Sequence, residues 1–106
     1  MHDAVVAIGV KQNQLCLKWP NDLLLNNKKV GGILIERPAL NEKTNNTLVI
    51  GFGLNLMSHP SRDALDQGSF ECDSLKASLS KVPAPVEFLR VLMPIFSYWN
   101  NIFLQD

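Results

Sequence analysis

Short apolar runs broken by turn residues fill the first half of the chain, and a long helical pattern fills its end. Ala4 to Val10 is an apolar run with Lys11 behind it. It fits the end of a helix or a buried strand, because a run this short does not fix the period. Leu15-Cys16-Leu17-Lys18-Trp19 predicts a strand stopped by Pro20, which has no N–H for a sheet ladder. Leu23-Leu24-Leu25 predicts a second strand and Val30 to Glu36 a third, ended by Arg37-Pro38. Between them, Asn26-Asn27 fits a tight turn, since Asn tolerates positive φ. Residues 39–46 read as a polar loop, and Thr47 to Leu56 as a fourth strand running through Gly51 and Gly53. Strands this short, separated by turns and a loop, predict an antiparallel meander.

Residues 58–70 form a polar connection without clear period, and a weak helix is expected from Asp73 to Lys81. Pro85 suits the first turn of a final helix. Phe88, Leu89, Leu92, Ile95, Phe96, Trp99, Ile102 and Phe103 recur at helical spacing, making one broad apolar face that reads as core rather than partner surface. Pro94 lies inside that pattern and predicts a kink or a split. Sheet first and helices after give a single α+β domain over residues 1–106, with an antiparallel or mixed meander followed by C-terminal helices.

At 106 residues the chain is long enough for one modest core. Its net charge is zero, which argues against nonspecific nucleic-acid binding. Lysine is nevertheless concentrated early: Lys11, Lys18, Lys28 and Lys29 stand against Asp3 and Asp22 in the first thirty residues. Cys16 and Cys72 are too few and too far apart for a disulfide framework or zinc knuckle. Neither His2 nor His59 has a ligand pattern beside it, so no metal site is expected. With no membrane-length apolar run and no basic leader, a cytoplasmic protein is the expectation.

The chemistry concentrates between Lys18 and Asn55. A lysine at the start of the third strand, Lys29, can reach a ligand on the sheet face with a compact charge and three donors. A solvated hairpin lysine beside Lys28 is the plainer alternative. Lys18 and Asp22 bracket Trp-Pro-Asn, and past the strand stop Asn21 and Asp22 can address a ribose, a base or a phosphate-bound cation. They equally suit an Asx turn. Trp19 reads as core or pocket wall. Gly31-Gly32 weakens a strand, which points to close approach of a ligand or to a bulge. Gly51 and Gly53 are a weak phosphate-loop signal without a third glycine and a following helix. Asn55 carries a donor and an acceptor that match the edge of adenine, or it caps a loop.

In order and spacing, Lys18-Trp-Pro-Asn-Asp22, Lys28-Lys-Val-Gly-Gly-Ile-Leu-Ile-Glu36 and Val49-Ile-Gly-Phe-Gly-Leu-Asn-Leu56 resemble the biotin–protein ligase series. The similarity covers residues 4–103 and implies a class II synthetase-like fold, of which this chain carries the C-terminal portion of the catalytic domain. It further implies that biotin and ATP form biotinyl-adenylate with Mg2+ present. The biotin then passes to a lysine of a carrier such as the biotin carrier protein of acetyl-CoA carboxylase. By this resemblance Lys29 and Lys18 are the catalytic lysines. Lys29, Gly32, Ile33, Gly51 and Gly53 bind biotin, and Asn21, Asp22 and Asn55 bind the nucleotide. The resemblance also leads to the expectation of a Gly-Arg-Gly-Arg-like loop upstream and a small barrel downstream, neither of which lies within residues 1–106. An inactive biotin- or nucleotide-binding module, a site completed in a homodimer, a lipoate- or octanoyl-transfer relative, and a ligand-free structural remnant are the alternative readings.

Overall fold

Lys18 faces Asp22, Asp22 faces Gly32 and Gly32 faces Gly53, so one row of partners crosses a whole four-stranded sheet. The sheet appears in a computed structural model that describes residues 1–38, 47–61, 63 and 71–105. Its elements are α1 (His2–Ala7), β1 (Leu15–Lys18), β2 (Asp22–Leu25), β3 (Lys28–Glu36), β4 (Val49–Leu54) and α2 (Pro85–Leu104). The strands lie in chain order and every neighbouring pair is antiparallel, the meander expected. The expected loop over residues 39–46 and most of the connection over 58–70 lie outside the described residues.

The first apolar run is helical, and Ala4 and Val5 are fully buried in it. Asn26 and Asn27 both adopt left-handed backbone, at φ 48° and 67°, and reverse β2 into β3. Two successive positive-φ residues match the twist of a hairpin.

Strand partners share a face, and alternate residues change face. The row Leu17, Leu23, Gly31 and Leu54 therefore lies opposite the row of Lys18, Asp22, Gly32 and Gly53. On the Leu23 face both helices pack. Leu23 and Leu25 join Ala4 and Val5 of α1 and Phe88 and Leu92 of α2 in one core. Phe52 of β4 meets Phe96 of α2 edge to face, with ring centroids 6.1 Å apart. Trp99 Nε1 donates to Asp3 Oδ2 at 2.9 Å and ties α2 to α1. Both helices thus leave the charged and glycine-bearing face uncovered.

Three expectations need correction. The helix expected from Asp73 to Lys81 is only one 3-10 turn, Leu75–Ala77. Its backbone is committed elsewhere: Leu75 N–H donates to the Asn55 carbonyl and Lys76 N–H to the Leu56 carbonyl. Second, α2 is one continuous helix, so of the kink or split expected at Pro94 the split does not occur. Pro94 and Arg90, whose carbonyl loses its helical donor, are both exposed, where water can take that bond. Third, the apolar face of α2 is core only in its first half. Phe88 and Leu92 are buried, whereas Trp99 and Phe103 are exposed, Phe103 by 76%.

Candidate active site

Asp22 Oδ1 and Lys29 Nζ are 3.2 Å apart on the open face of the sheet. Strand alternation puts them there. Lys29 pairs with Leu24 and Asp22 lies two residues from Leu24, so both side chains share one face. Gly32 is Asp22's direct partner, and a Cβ added there would lie 3.2 Å from Asp22 Oδ1 and 3.6 Å from Lys29 Cε. The missing side chain makes room for the ion pair.

A bulge fixes Lys29. Leu23 pairs with Gly31 but Leu24 with Lys29, leaving Val30 as the extra residue of β3. The Lys29 backbone there takes a different partner. Its N–H donates to the Glu71 carbonyl at 2.8 Å, and its carbonyl accepts from Asp73 N–H at 2.9 Å. Residues 71–73 thus bridge Lys29 in parallel, centred on Cys72.

The three remaining strand glycines are not equivalent. A Cβ on Gly31 would lie 2.6 Å from the Gly53 carbonyl, so the packing of β3 on β4 demands glycine. Among the described residues, a Cβ on Gly51 or Gly53 would meet nothing nearer than 3.7 Å and 3.9 Å respectively. No described neighbour requires glycine at these two positions, which together floor the open face.

These parts enclose a cavity of about 770 Å³, within the range of small-molecule sites. It is lined by Lys18, Asp22, Lys29, Gly32, Ile33, Gly51, Gly53 and Asn55, all of them singled out in the sequence. Ile33 pairs with Phe52 on the helix-covered face, so by alternation it offers the cavity its backbone rather than its side chain. Asn21 does not line this space. It belongs to an adjoining hollow of about 460 Å³ with Trp19, Pro20 and Leu17, and its carbonyl accepts the Ile33 N–H at 2.9 Å. Trp19 is 89% exposed and follows a strand end as pocket wall, not as core. The Trp19–Pro20 peptide bond is cis.

Asn55 closes the far end. Its Nδ2 donates to the Asp73 carbonyl at 3.1 Å, so one amide hydrogen is committed to the chain itself. Cys72 lines the cavity as well, a cysteine outside any disulfide that the sequence reading did not place in the site. No sequence signal links it to Lys29, because the pairing spans more than forty residues. Among the described residues no three or more His, Cys, Asp or Glu cluster as a metal site, and no helix is long and apolar enough to cross a membrane.

A sequence model of the biotin/lipoate A/B protein ligase family matches residues 1–55, the half of the chain that carries Lys18, Asp22, Lys29 and the glycines. The chain belongs to this family. It is 36% identical over 100 residues to the biotin–[acetyl-CoA-carboxylase] ligase of Paracoccus denitrificans, covering 94% of this chain and 41% of that protein. It is 42% identical over 98 residues to biotin–protein ligase 2 of Arabidopsis thaliana, covering 90% of this chain and 26% of that protein. The crystal structure of the Leishmania major biotin protein ligase in complex with biotin matches with a TM-score of 0.62 and 26% identity. That match covers 85% of this family member and 38% of the Leishmania chain. The chain therefore spans about two fifths, or less, of the length of these relatives.

Proposed function

We propose that the open-face cavity is the biotin and adenylate site of an ATP-dependent biotin–protein ligase. In this reading a biotin carboxylate oxygen attacks the α-phosphorus of ATP. The new C–O–P link is the mixed anhydride biotinyl-adenylate, and the α–β bridging bond breaks to release pyrophosphate. The amine of a carrier-protein lysine then attacks the acyl carbon, forming the amide and releasing AMP. The observation that carries this reading is the Lys29–Asp22 pair set over Gly32, facing the Gly51–Gly53 floor.

Each feature has a task. Two anions must meet in the first step, and negative charge concentrates on the phosphoryl oxygens. The Lys29 ammonium is placed to stabilise both, and Lys18, in the same row of the sheet, adds a second charge. The glycine floor lets the biotin rings lie against backbone. In this reading Asp22 and Asn55, which border the cavity, address the nucleotide, and Asn21 shapes the turn beside it. Among the described residues lining the cavity Asp22 is the one carboxylate, so magnesium would take most of its ligands from the ATP phosphates. The acceptor would be a lysine of a biotin carrier protein, as the name of the Paracoccus relative suggests.

Incubation with biotin, magnesium and α-labelled ATP tests this. Labelled biotinyl-adenylate, absent with Lys29→Ala, supports the ligase. Biotin binding without adenylate would favour a binding module, and product from lipoate but not biotin would favour the lipoate branch of the family.

A further inference from the structure

The hydrogen bonds behind Lys29 form a closed circuit. Lys29 N–H donates to the Glu71 carbonyl, and Asp73 N–H donates to the Lys29 carbonyl. Asn55 Nδ2 donates to the Asp73 carbonyl at 3.1 Å. The Asn55 backbone N–H returns to the Val30 carbonyl at 2.7 Å, one residue past Lys29, and its own carbonyl receives Leu75 N–H at 2.9 Å. Leu75 is fully buried and anchors the segment in the core. The pairing of β3 with β4 ends at Gly31 and Leu54, so Lys29 has no partner in β4, and the 71–73 segment takes that place.

We propose that Asn55 is a positioning residue for Lys29. Its side chain clamps the 71–75 segment, and that segment holds the Lys29 backbone so that its ammonium stands beside Asp22 over Gly32. The proposal rests on reading the cavity as the biotin–adenylate site, and it differs from a direct Asn55 contact to adenine. The Asn55 bond acts on the segment at Asp73, whose own N–H holds the Lys29 carbonyl beside the bond from Lys29 to Glu71. The contact to Asp73 is part-buried, so water replaces it poorly.

Amide hydrogen exchange tests the link without any ligand. Asn55→Asp keeps the shape of the side chain and removes its donor, while Asn55→Ala removes both. Protection at the Lys29 and Asp73 amides is expected to fall about five-fold in both variants, the worth of one net hydrogen bond. The Ile33 amide, donated to Asn21, should keep its rate. Unchanged protection at Lys29 and Asp73, or an equal fall at Ile33, would overturn the proposal.

Magnesium–ATP affinity then separates positioning from adenine contact. Asn55→Ala should weaken binding about five-fold when Lys29 is present. In a Lys29→Ala background it should change binding by no more than about two-fold. A full loss in both backgrounds would overturn positioning in favour of a direct contact. Absence of nucleotide and biotin binding by the unaltered chain would count against the proposed function, and the exchange data alone would then judge the link.

Discussion

Lys29 Nζ and Asp22 Oδ1 stand 3.2 Å apart directly above the place where Gly32 lacks a side chain. Charge, counter-charge and glycine therefore form one unit. Lys29 is 41% exposed and Asp22 29%, so water screens the pair and it contributes little to folding. In the proposed function it holds an ammonium at a fixed point for an anionic ligand.

Lys29→Ala should consequently leave the fold intact, with a stability change of less than about 1 kcal/mol. Adenylate formation should fall by at least about a hundred-fold, the scale of losing one charge-stabilising donor at a reacting centre. Thermal denaturation and ATP–pyrophosphate exchange measure the two effects. A large drop in melting temperature would make Lys29 structural.

The glycines should divide by what a Cβ meets. Gly31→Ala drives a Cβ against the Gly53 carbonyl and should destabilise by about 1–3 kcal/mol, as overpacking does. Gly53→Ala meets ordinary contacts and should cost less than about 0.5 kcal/mol while weakening biotin binding. Gly32→Val should displace the ion pair and lower biotin affinity before it affects folding. Denaturant titration beside calorimetric biotin binding separates the three. Unaltered biotin affinity in Gly32→Val would remove the argument for the shared unit.

The β2–β3 turn offers a test of backbone conformation alone. Asn27 is held at φ 67° and exposed, so Asn27→Val should destabilise by about 1–2 kcal/mol and Asn27→Gly should be neutral or stabilising. Equal stability of both variants would show that the turn adopts another form.

Acid should loosen the contact between α1 and α2. The hydrogen bond from His2, and then that from Trp99, hold the Asp3 carboxyl below the usual carboxylate range. A depressed folded pKa adds stability that is present above the ordinary carboxylate value and lost as pH falls through the folded value. Trp99→Phe should shrink that loss, visible as a smaller difference in melting temperature between neutral and acidic solution. An unchanged acid dependence would remove the Trp99–Asp3 bond from the account.

Much of this was legible along the chain, for physical reasons. Alternating apolar residues, Pro20 as a stop and Asn26-Asn27 as a left-handed turn are local signals, and together they give the strand order. The glycine pair offers a bulge as one reading, but neither its position at Val30 nor its effect on register is legible. A regular hairpin from Asn26-Asn27 would set Asp22 opposite Gly31, whereas the extra residue Val30 brings Gly32 there. That shift decides which glycine serves the ion pair and which the packing of β4, and the glycine pair alone carries neither assignment. The bridge from Lys29 to residues 71–73 is a long-range pairing without a periodic signature. It also explains why a helix expected from Asp73 is a single turn. The α2 pattern correctly gave a helix, but periodicity states which residues share a face and not how much of that face is covered. Phe88 and Leu92 join the core, whereas Phe103 is exposed.

The most direct test is an NMR titration of the labelled chain with biotin. Shifts should concentrate at the Gly32, Gly51 and Gly53 amides and at the Lys29 side chain, and vanish with Lys29→Ala. Shifts confined to the hollow of Trp19 and Asn21, or none at saturating biotin, would contradict the assignment of the open sheet face as the ligand site.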